Sequence, residues 1–331
     1  MQPFDYIIPR DHAEASALLT QGTGLTRAFM GGTDLLIRIR GGFVRPERVV
    51  DLKHLPGIRD IEQSPDGWLV IGAACTMNQV AGHPTVQARY DLLTQACNSV
   101  ASYQLRNRAT LGGNICNASP AADTAPALYC LDAVAEIFSP HGSRRVPIAE
   151  FFVGPGKSAL KPGEFVTAIH LPPAPAENTA AFNKLGRTKI GDISMVSVAV
   201  YWSKDEGGRL KDEAGPSSLV IRREWAIALG SVGPTPLRAP EAEAALAADT
   251  SPEGVRRAAE LAAAAARPID DIRASAAYRR AMVAVLTRRG IESVLAASSS
   301  SVRGPTGTGL KAVRDPSSAG GAPSTGSGGA A

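Results

Sequence analysis

The stretch from Thr110 to Thr124, TLGGNICNASPAADT, constrains the fold more than any other part of the chain. Adjacent glycines reach backbone angles closed to other residues, and they let main-chain N–H groups approach a ligand with no side chain between. Successive N–H groups turned into one concavity form an anion-binding nest. Thr110 and Asn114 can add side-chain donors to the same oxygens. The segment from Ala121 to Leu131 reads as a helix, whose N-terminus would also face an anion. Gly112-Gly113 is therefore expected to be a turn that cradles phosphate or pyrophosphate. The competing reading is an ordinary Gly-Gly turn closed by an Asn and Ser cap.

A second glycine pair has a related setting. In AFMGGTDLL, the apolar run Ala28, Phe29, Met30 enters Gly31-Gly32, and Thr33, Asp34 and Leu35 then open an amphipathic stretch. Strand, glycine turn and helix start is the arrangement in which backbone N–H groups meet phosphate. The spacing G-x-G-x-x-G is absent, so this is not the dinucleotide fingerprint, and no G-K-[ST] follows to make a P-loop. Two such cradles suit a ligand with a pyrophosphate and two ends.

The 331 residues suffice for two or three compact units. A net charge of +4 is too small to argue for nucleic acid, and 5% aromatics is too few for a base-stacking surface. No apolar run approaches the roughly 20 residues of a membrane span. The N-terminus, MQPFDYIIPRDH, has no basic region followed by an apolar core, so a cytoplasmic location is the expectation. Cys75, Cys97, Cys116 and Cys130 form no C-x-x-C pair and read as reduced, mostly buried thiols, with the Cys116 sulfur packed behind the second cradle. The five histidines are scattered, with no ligand partner at helical spacing, so no metal site is expected. No Ser-His-Asp set and no evident acid–base pair is present either, which fits a redox module whose cofactor carries the hard chemistry.

Four regions are expected. Residues 1–55 read as a small α/β unit, with a helix capped by Asp11 and Glu14 and a parallel strand–helix–strand crossover through the first cradle. Residues 56–175 read as an α+β unit. It has hairpins at Ser64-Pro65-Asp66-Gly67 and Pro140-His141-Gly142, a short helix capped by Thr76, and one long helix from Val86 to Ala101 with Val86, Tyr90, Leu93 and Cys97 on its buried stripe. Residues 176–292 follow a proline-rich linker. They read as antiparallel strands (Ala181 to Leu185, Ile193 to Ser203, Leu219 to Ile221, Trp225 to Gly230) and then helices over Pro240 to Ala248, Pro252 to Ala266 and Ala274 to Arg289. Arg279-Arg280 and Arg288-Arg289 read as solvated faces or C-terminal dipole partners. From Ser298 to Ala331 the chain is Ser-, Gly-, Pro- and Ala-rich, and it is expected to be a disordered, dispensable tail.

The pair MGGTDLL and TLGGNICNASPAADT, in this order and spacing, resembles the signature of the FAD-binding medium subunits of molybdenum hydroxylases. That family includes xanthine, carbon monoxide and N-heterocycle dehydrogenases. FFVGPGKSAL, PGEFVTAIHLP, KLGRTKIGDIS and ALGSVGPTPLRA extend the likeness from about Phe4 to about Gly290. The resemblance implies an α+β chain: a two-subdomain FAD-binding fold of the PCMH/VAO-like type, then a C-terminal domain of antiparallel sheet and helices. It implies that Ala28 to Leu35 bind the FAD pyrophosphate and that Thr110, Gly112, Gly113 and Asn114 form the opposite wall. It implies that Asp123 contacts the sugar-like chain of the flavin; for the residues alone, a helix N-cap is the alternative. Asp34 has the same ambiguity, with Thr33 the better candidate for a ligand contact. By matched position, Leu160 and Ile193 would line the flavin ring, and Lys184 and Arg223 would offset negative charge; plain packing or surface charge is the alternative for all four. No histidine or cysteine lies in the first cradle, so the flavin is expected to be noncovalent.

The same resemblance implies partners. Substrate would be oxidised at molybdenum on a large subunit, and electrons would cross two-iron two-sulfur clusters on a small subunit to this FAD. They would then pass to NAD or another acceptor, in a dimer of heterotrimers. Carbon monoxide dehydrogenase subunits tend to carry His-Ser where this chain has Thr33-Asp34, and the cysteine-bearing insertion of 4-hydroxybenzoyl-CoA reductase is absent. Both departures favour the xanthine and N-heterocycle branch. Two other readings stay open: a self-sufficient FAD-dependent oxidoreductase on the same fold, which would need its own acid or base, and a flavin-free interaction subunit, which would have no use for intact glycine pairs.

Overall fold

The chain opens with three short strands that cannot pair as hairpins, because helices or long loops separate them. β1 (Asp5–Ile7), α1 (His12–Gln21), β2 (Thr26–Phe29), α2 (Leu35–Arg40) and β3 (Arg48–Asp51) build a parallel sheet of order β1-β3-β2. The computed structural model describes residues 2–21, 24–188, 191–204, 209–211, 219–221 and 224–302. The expected crossover through the first glycine pair is present, since β2 and β3 run parallel on either side of α2. Sequence reading missed β1, which is half exposed and only three residues long.

The next unit holds β4 (Ile61–Gln63), β5 (Leu69–Gly72), α3 (Met77–Gly82), α4 (Pro84–Arg89), α5 (Asp91–Ser99), α6 (Tyr103–Arg106), α7 (Leu111–Cys116) and α8 (Ala125–Cys130). It continues through β6 (Val134–Ser139), β7 (Gly142–Pro147), α9 (Ile148–Phe151), β8 (Phe152–Gly154), β9 (Lys157–Ser158) and β10 (Phe165–Leu171). The five-stranded sheet has order β4-β5-β10-β6-β7 and every pairing in it is antiparallel. Both expected hairpins close it, with Gly67 and Gly142 at positive φ in the turns. Thr76 caps α3 in a capping box with Gln79. The expected single helix from Val86 to Ala101 is two helices, because Tyr90 leaves helical geometry at φ −133°, ψ 45°. Its four stripe residues are nevertheless all buried, since the stripe faces one core on both sides of the break.

The third unit starts with β11 (Asn178–Leu185), β12 (Val196–Ser203), β13 (Arg209–Lys211), β14 (Leu219–Ile221), β15 (Trp225–Gly230) and β16 (Leu237–Arg238). Its sheet has order β11-β12-β15-β16. β14, expected in this sheet, pairs instead with β13 as a separate ribbon. The helices α10 (Pro240–Ala248), α11 (Pro252–Ala265) and α12 (Ala276–Val302) follow.

The two faces of the third sheet differ in residue size. Val196, Val198, Val200, Trp225, Ile227 and Leu229 form a core with α10–α12. Ala199, Tyr201, Ala226 and Ala228 point the other way and join the core of the preceding unit, where α5 and α8 lie against the sheet. Strand side chains alternate between faces, so a strand buried on both reads as a nearly continuous apolar run. The small side chains let α8 come close. A Cβ on Gly230 would sit 2.9 Å from the Pro126 ring of α8.

Two expectations for the C-terminal region are corrected. α12 does not stop at Arg289: Gly290 is inside it, and a Cβ there would meet Val200 Cγ2 at 2.8 Å, so this glycine permits helix–sheet contact rather than ending the helix. The helix runs on to Val302 and takes in the first residues of the expected tail; residues 303–331 lie outside the described residues. Arg279 is not a solvated face. It is 4% exposed, and its guanidinium donates to the carbonyls of Met195 and Ser231 and pairs with Asp271 at 2.6 Å.

Candidate functional site

The first glycine pair leaves the C-terminal end of β2, where ligands of parallel sheets are held. Phe29 closes that strand and pairs in register with Asp51 of β3. Its ring meets Tyr6 edge-on, with centroids 5.9 Å apart, and the Lys53 ammonium lies 4.1 Å from its centroid. Asp51 is 2% exposed and holds both Lys53 and the Tyr6 hydroxyl at 2.5 Å. Burial pushes its carboxyl up, but the bonds from Lys53 and Tyr6 outweigh this and keep it below the usual carboxylate range.

Gly32 follows at φ +71°, where a Cβ would overlap the fixed Phe29 ring. Gly31 presses on the other segment: a Cβ there would overlap the carbonyl oxygen of Arg108, two residues before Thr110. The two glycine segments are therefore brought into contact. Among the described residues, the N–H groups of Gly31, Gly32, Thr33 and Asp34 have no protein acceptor. The side chains of Phe29, Met30 and Leu35 are turned into cores, so this segment offers a ligand mainly backbone, together with Thr33. Ala28 and Asp34 are exposed, and Asp34 precedes α2 without a side-chain capping bond.

The second segment is not a turn. Leu111 to Cys116 is helical with Thr110 as its N-cap, so Gly112 and Gly113 lie within α7. The backbone N–H groups expected to form a nest already have acceptors. Leu111 donates to Cys75 O at 3.0 Å, Gly112 to Ala73 O at 2.9 Å, Gly113 to Thr110 Oγ1 at 3.1 Å and Asn114 to Thr110 O at 3.0 Å. Thr110 is 3% exposed and bridges Thr76. Gly112 is required by packing, because a Cβ would lie 2.6 Å from that of Ala73. Asn114 accepts from the Thr124 hydroxyl at 2.6 Å, and its amide has no partner among the described residues. The Cys116 thiol is enclosed as expected, and burial pushes it up to about 12.

Asp123 is 8% exposed and lies outside α8, which begins at Ala125 with Thr124 as N-cap. The helix-cap alternative therefore does not hold. Its Oδ2 accepts from Lys184 at 2.7 Å, while Oδ1 is buried with no partner. Burial pushes this carboxyl up to about 6, and the Lys184 charge opposes the rise. Lys184, on β11, also donates to the Ser99 carbonyl at the end of α5, 3.0 Å away.

Leu160 packs against the large core. Ile193 is 51% exposed, next to Asp192, whose carboxylate is held by Arg187. Arg223 lies outside the described residues. Sequence reading missed Lys53 and the Ser99 carbonyl. Lys53 follows a strand-end aspartate by two residues, a usable signal, whereas a main-chain carbonyl has none.

Residues 2–174 match the FAD binding domain in molybdopterin dehydrogenase, and residues 180–294 match the CO dehydrogenase flavoprotein C-terminal domain. The chain belongs to this family. It is 35% identical over 269 residues to a putative xanthine dehydrogenase FAD-binding subunit of Escherichia coli, covering 81% of this chain and 88% of that protein. Carbon monoxide dehydrogenase from Hydrogenophaga pseudoflava superposes with a TM-score of 0.81 at 33% identity, over 89% of this chain and 99% of the other. Quinoline 2-oxidoreductase from Pseudomonas putida 86 does so at 0.79 and 28%, over 90% and 98%. The chain is thus an FAD-binding medium subunit of an oxidoreductase, with the α+β fold expected. No helix among the described residues is long and apolar enough to cross a membrane.

Proposed function

We propose that this medium subunit holds FAD noncovalently between the two glycine segments and Asp123, and relays electrons for a molybdenum-containing partner. The observation that carries the reading is the contact of Gly31 with the Arg108 carbonyl, which brings the segment whose four N–H groups lack a protein acceptor among the described residues against the residues leading into the second glycine segment. A pyrophosphate needs such donors, and a polyhydroxyl chain needs an acceptor such as the unpartnered Oδ1 of Asp123. The residues present therefore suit FAD.

Gly31, Gly32, Thr33 and Asp34 would bind phosphate oxygens through their backbone, and Asn114 would donate its amide. Phe29, wedged between Tyr6 and Lys53, keeps the turn in shape. When bound, FAD supplies the redox chemistry that no side chain here provides. Relatives are medium chains or subunits of multi-subunit dehydrogenases, such as the carbon monoxide dehydrogenase medium chain of Hydrogenophaga pseudoflava, so an iron–sulfur small subunit and a molybdenum-binding large subunit are the proposed partners. NAD or another carrier is the proposed acceptor, in the cytoplasm, and the xanthine and N-heterocycle branch is the proposed setting.

The chain purified alone should be yellow, release FAD on denaturation and contain neither iron nor molybdenum. It should exchange electrons between NADH and an artificial acceptor without oxidising heterocycles or aldehydes. Substrate oxidation by the metal-free chain alone would replace this reading with that of a self-sufficient flavoenzyme; a colourless preparation that binds no added FAD would leave the flavin-free interaction subunit.

A further inference from the structure

Leu35 and Ile39, one helical turn apart, spend the inner side of α2 on a small core with Phe29 and Val49. The rest of the segment is turned outward: Leu36, Ile37 and Phe43 are 40%, 66% and 82% exposed. Single exposed apolar side chains are ordinary, but these three share one short stretch with Arg38, Arg40 and Arg45 and no acid. All three arginines are exposed, and none makes an ion pair or a side-chain hydrogen bond among the described residues. The tip of the segment is built rather than frayed. The N–H groups of Gly41, Gly42, Phe43 and Val44 donate to the carbonyls of Ile37, Ile39 and Arg38, the last of which accepts twice. Gly41 lets the aromatic ring lie against the backbone, since a Cβ there would be 2.7 Å from it, and Gly42 stands in open space at φ +74°. The turn thus fixes a phenylalanine at the surface, where it does little for the fold.

We propose that this tip is a reversible anchor for an anionic lipid surface: Phe43 and Ile37 enter the boundary between headgroups and acyl chains, and Arg38, Arg40 and Arg45 hold the lipid phosphates. α2 begins beside the first glycine segment and runs back to the start of β3, so the tip is at the opposite end of the parallel sheet from the N–H groups of Gly31 to Asp34. It therefore does not depend on the flavin site. At that end of the sheet Arg27 and Arg48 on the strands balance Asp5 and Glu47, so the three arginines of the segment set the sign of the charge.

An apolar tip ringed by cations is how a chain lies on a bilayer without spanning it. Guanidinium groups match phosphate oxygens in geometry, and each arginine at an anionic surface strengthens association about fivefold. A protein partner fits the face less well. The three apolar side chains expose on the order of 300 Å², whereas a stable protein interface covers roughly 800 Å² on each partner. Such an interface also surrounds its apolar centre with donors and acceptors, and here the rim offers cationic donors alone. One aromatic tip and three arginines fall short of a permanent attachment, so the association is weak and sensitive to salt.

The test is co-sedimentation of the full-length chain, free and assembled with its partner subunits, with vesicles of phosphatidylcholine alone or with a third phosphatidylglycerol. Both forms should pellet with the anionic vesicles at low salt, stay in solution with phosphatidylcholine, and be released as salt is raised. Arg38→Gln, Arg40→Gln and Arg45→Gln together should weaken association roughly a hundredfold. Ile37→Ser with Phe43→Ser should weaken it at least fivefold. Melting temperature and flavin content should stay the same in both variants, so a failure of the flavin reading would show separately. Phe43→Trp should bind as wild type does and be quenched by brominated acyl chains. A wild-type chain that never pellets would overturn the proposal. Pelleting unchanged by the two serines, or an unquenched Phe43→Trp variant, would reduce the effect to adsorption of charge and overturn the anchor. Pelleting of the free chain but not of the assembled complex would make the tip a subunit contact instead.

Discussion

The two glycine pairs look alike in sequence and do opposite things. Gly31-Gly32 lies in a loop, and its N–H groups and those of the next two residues have no protein acceptor among the described residues. Gly112-Gly113 lies in a helix, and its N–H groups are already bonded to Ala73 and Thr110. The first pair makes room for something outside the chain, and the second makes room for the chain itself. A missing side chain signals close approach, while the fate of the neighbouring N–H groups tells what approaches.

The contrast is sharpest at Gly32. An alanine there must take a left-handed conformation and displace the Phe29 ring, at a combined cost of roughly 2–5 kcal/mol charged to the shape of the turn. Gly32→Ala should lower FAD affinity by two orders of magnitude or more. Its melting temperature with FAD removed should change far less, because the apo turn can open locally and escape the clash at the expense of the shape that FAD needs; a large drop in the apo melting point with normal FAD affinity would break the contrast.

Gly112→Ala should behave in the reverse manner. Its Cβ meets the Ala73 carbonyl oxygen at 2.7 Å, and overpacking of this kind costs about 1–3 kcal/mol. The apo chain should melt several degrees lower, and the folded fraction should bind FAD with near-normal affinity. Thermal melts combined with FAD titration separate the two outcomes.

The smallest effects come from the flanking side chains. Asn114→Ala removes the acceptor of the buried Thr124 hydroxyl and should cost stability, about 1–3 kcal/mol for the group left unsatisfied. Thr33→Ala should leave the melting point unchanged and weaken FAD about fivefold, the size of one hydrogen bond. Equal loss of stability in both variants would mean that Thr33 is structural too.

Local features were legible where the cause was local. The crossover through Gly31-Gly32, the Thr76 cap and both hairpins follow from residues within one turn or one strand of each other. β12 was visible as an apolar run because both of its faces are covered. The failures have nonlocal causes. The helix expected to end at Arg289 runs on through Gly290, which accommodates Val200, ninety residues earlier in the chain. Arg279 read as solvated because its acceptors, Met195 and Ser231, come from distant segments, each one residue outside a strand of the third sheet. At the proposed site, both glycine pairs stood out in the sequence, and the family resemblance added Asp123. The turn assigned to Gly112-Gly113 was wrong, because helix formation there depends on carbonyls of Ala73 and Cys75 waiting in another segment. The pairing of Asp123 with Lys184 had no periodicity to announce it.

The closely seated α8 has a consequence for how the protein is made. Its partner surface, the small-residue face ending in Gly230, is synthesised about a hundred residues after Pro126. At the usual pace of elongation that interval is roughly 5–20 s. Throughout it, α8 leaves the ribosome with one flank uncovered. The N-terminal unit therefore exists for seconds as a nascent chain that can form its sheets but cannot yet complete its site. On the proposed site, the close seating of α8 would have to wait for the strands of the third sheet to emerge.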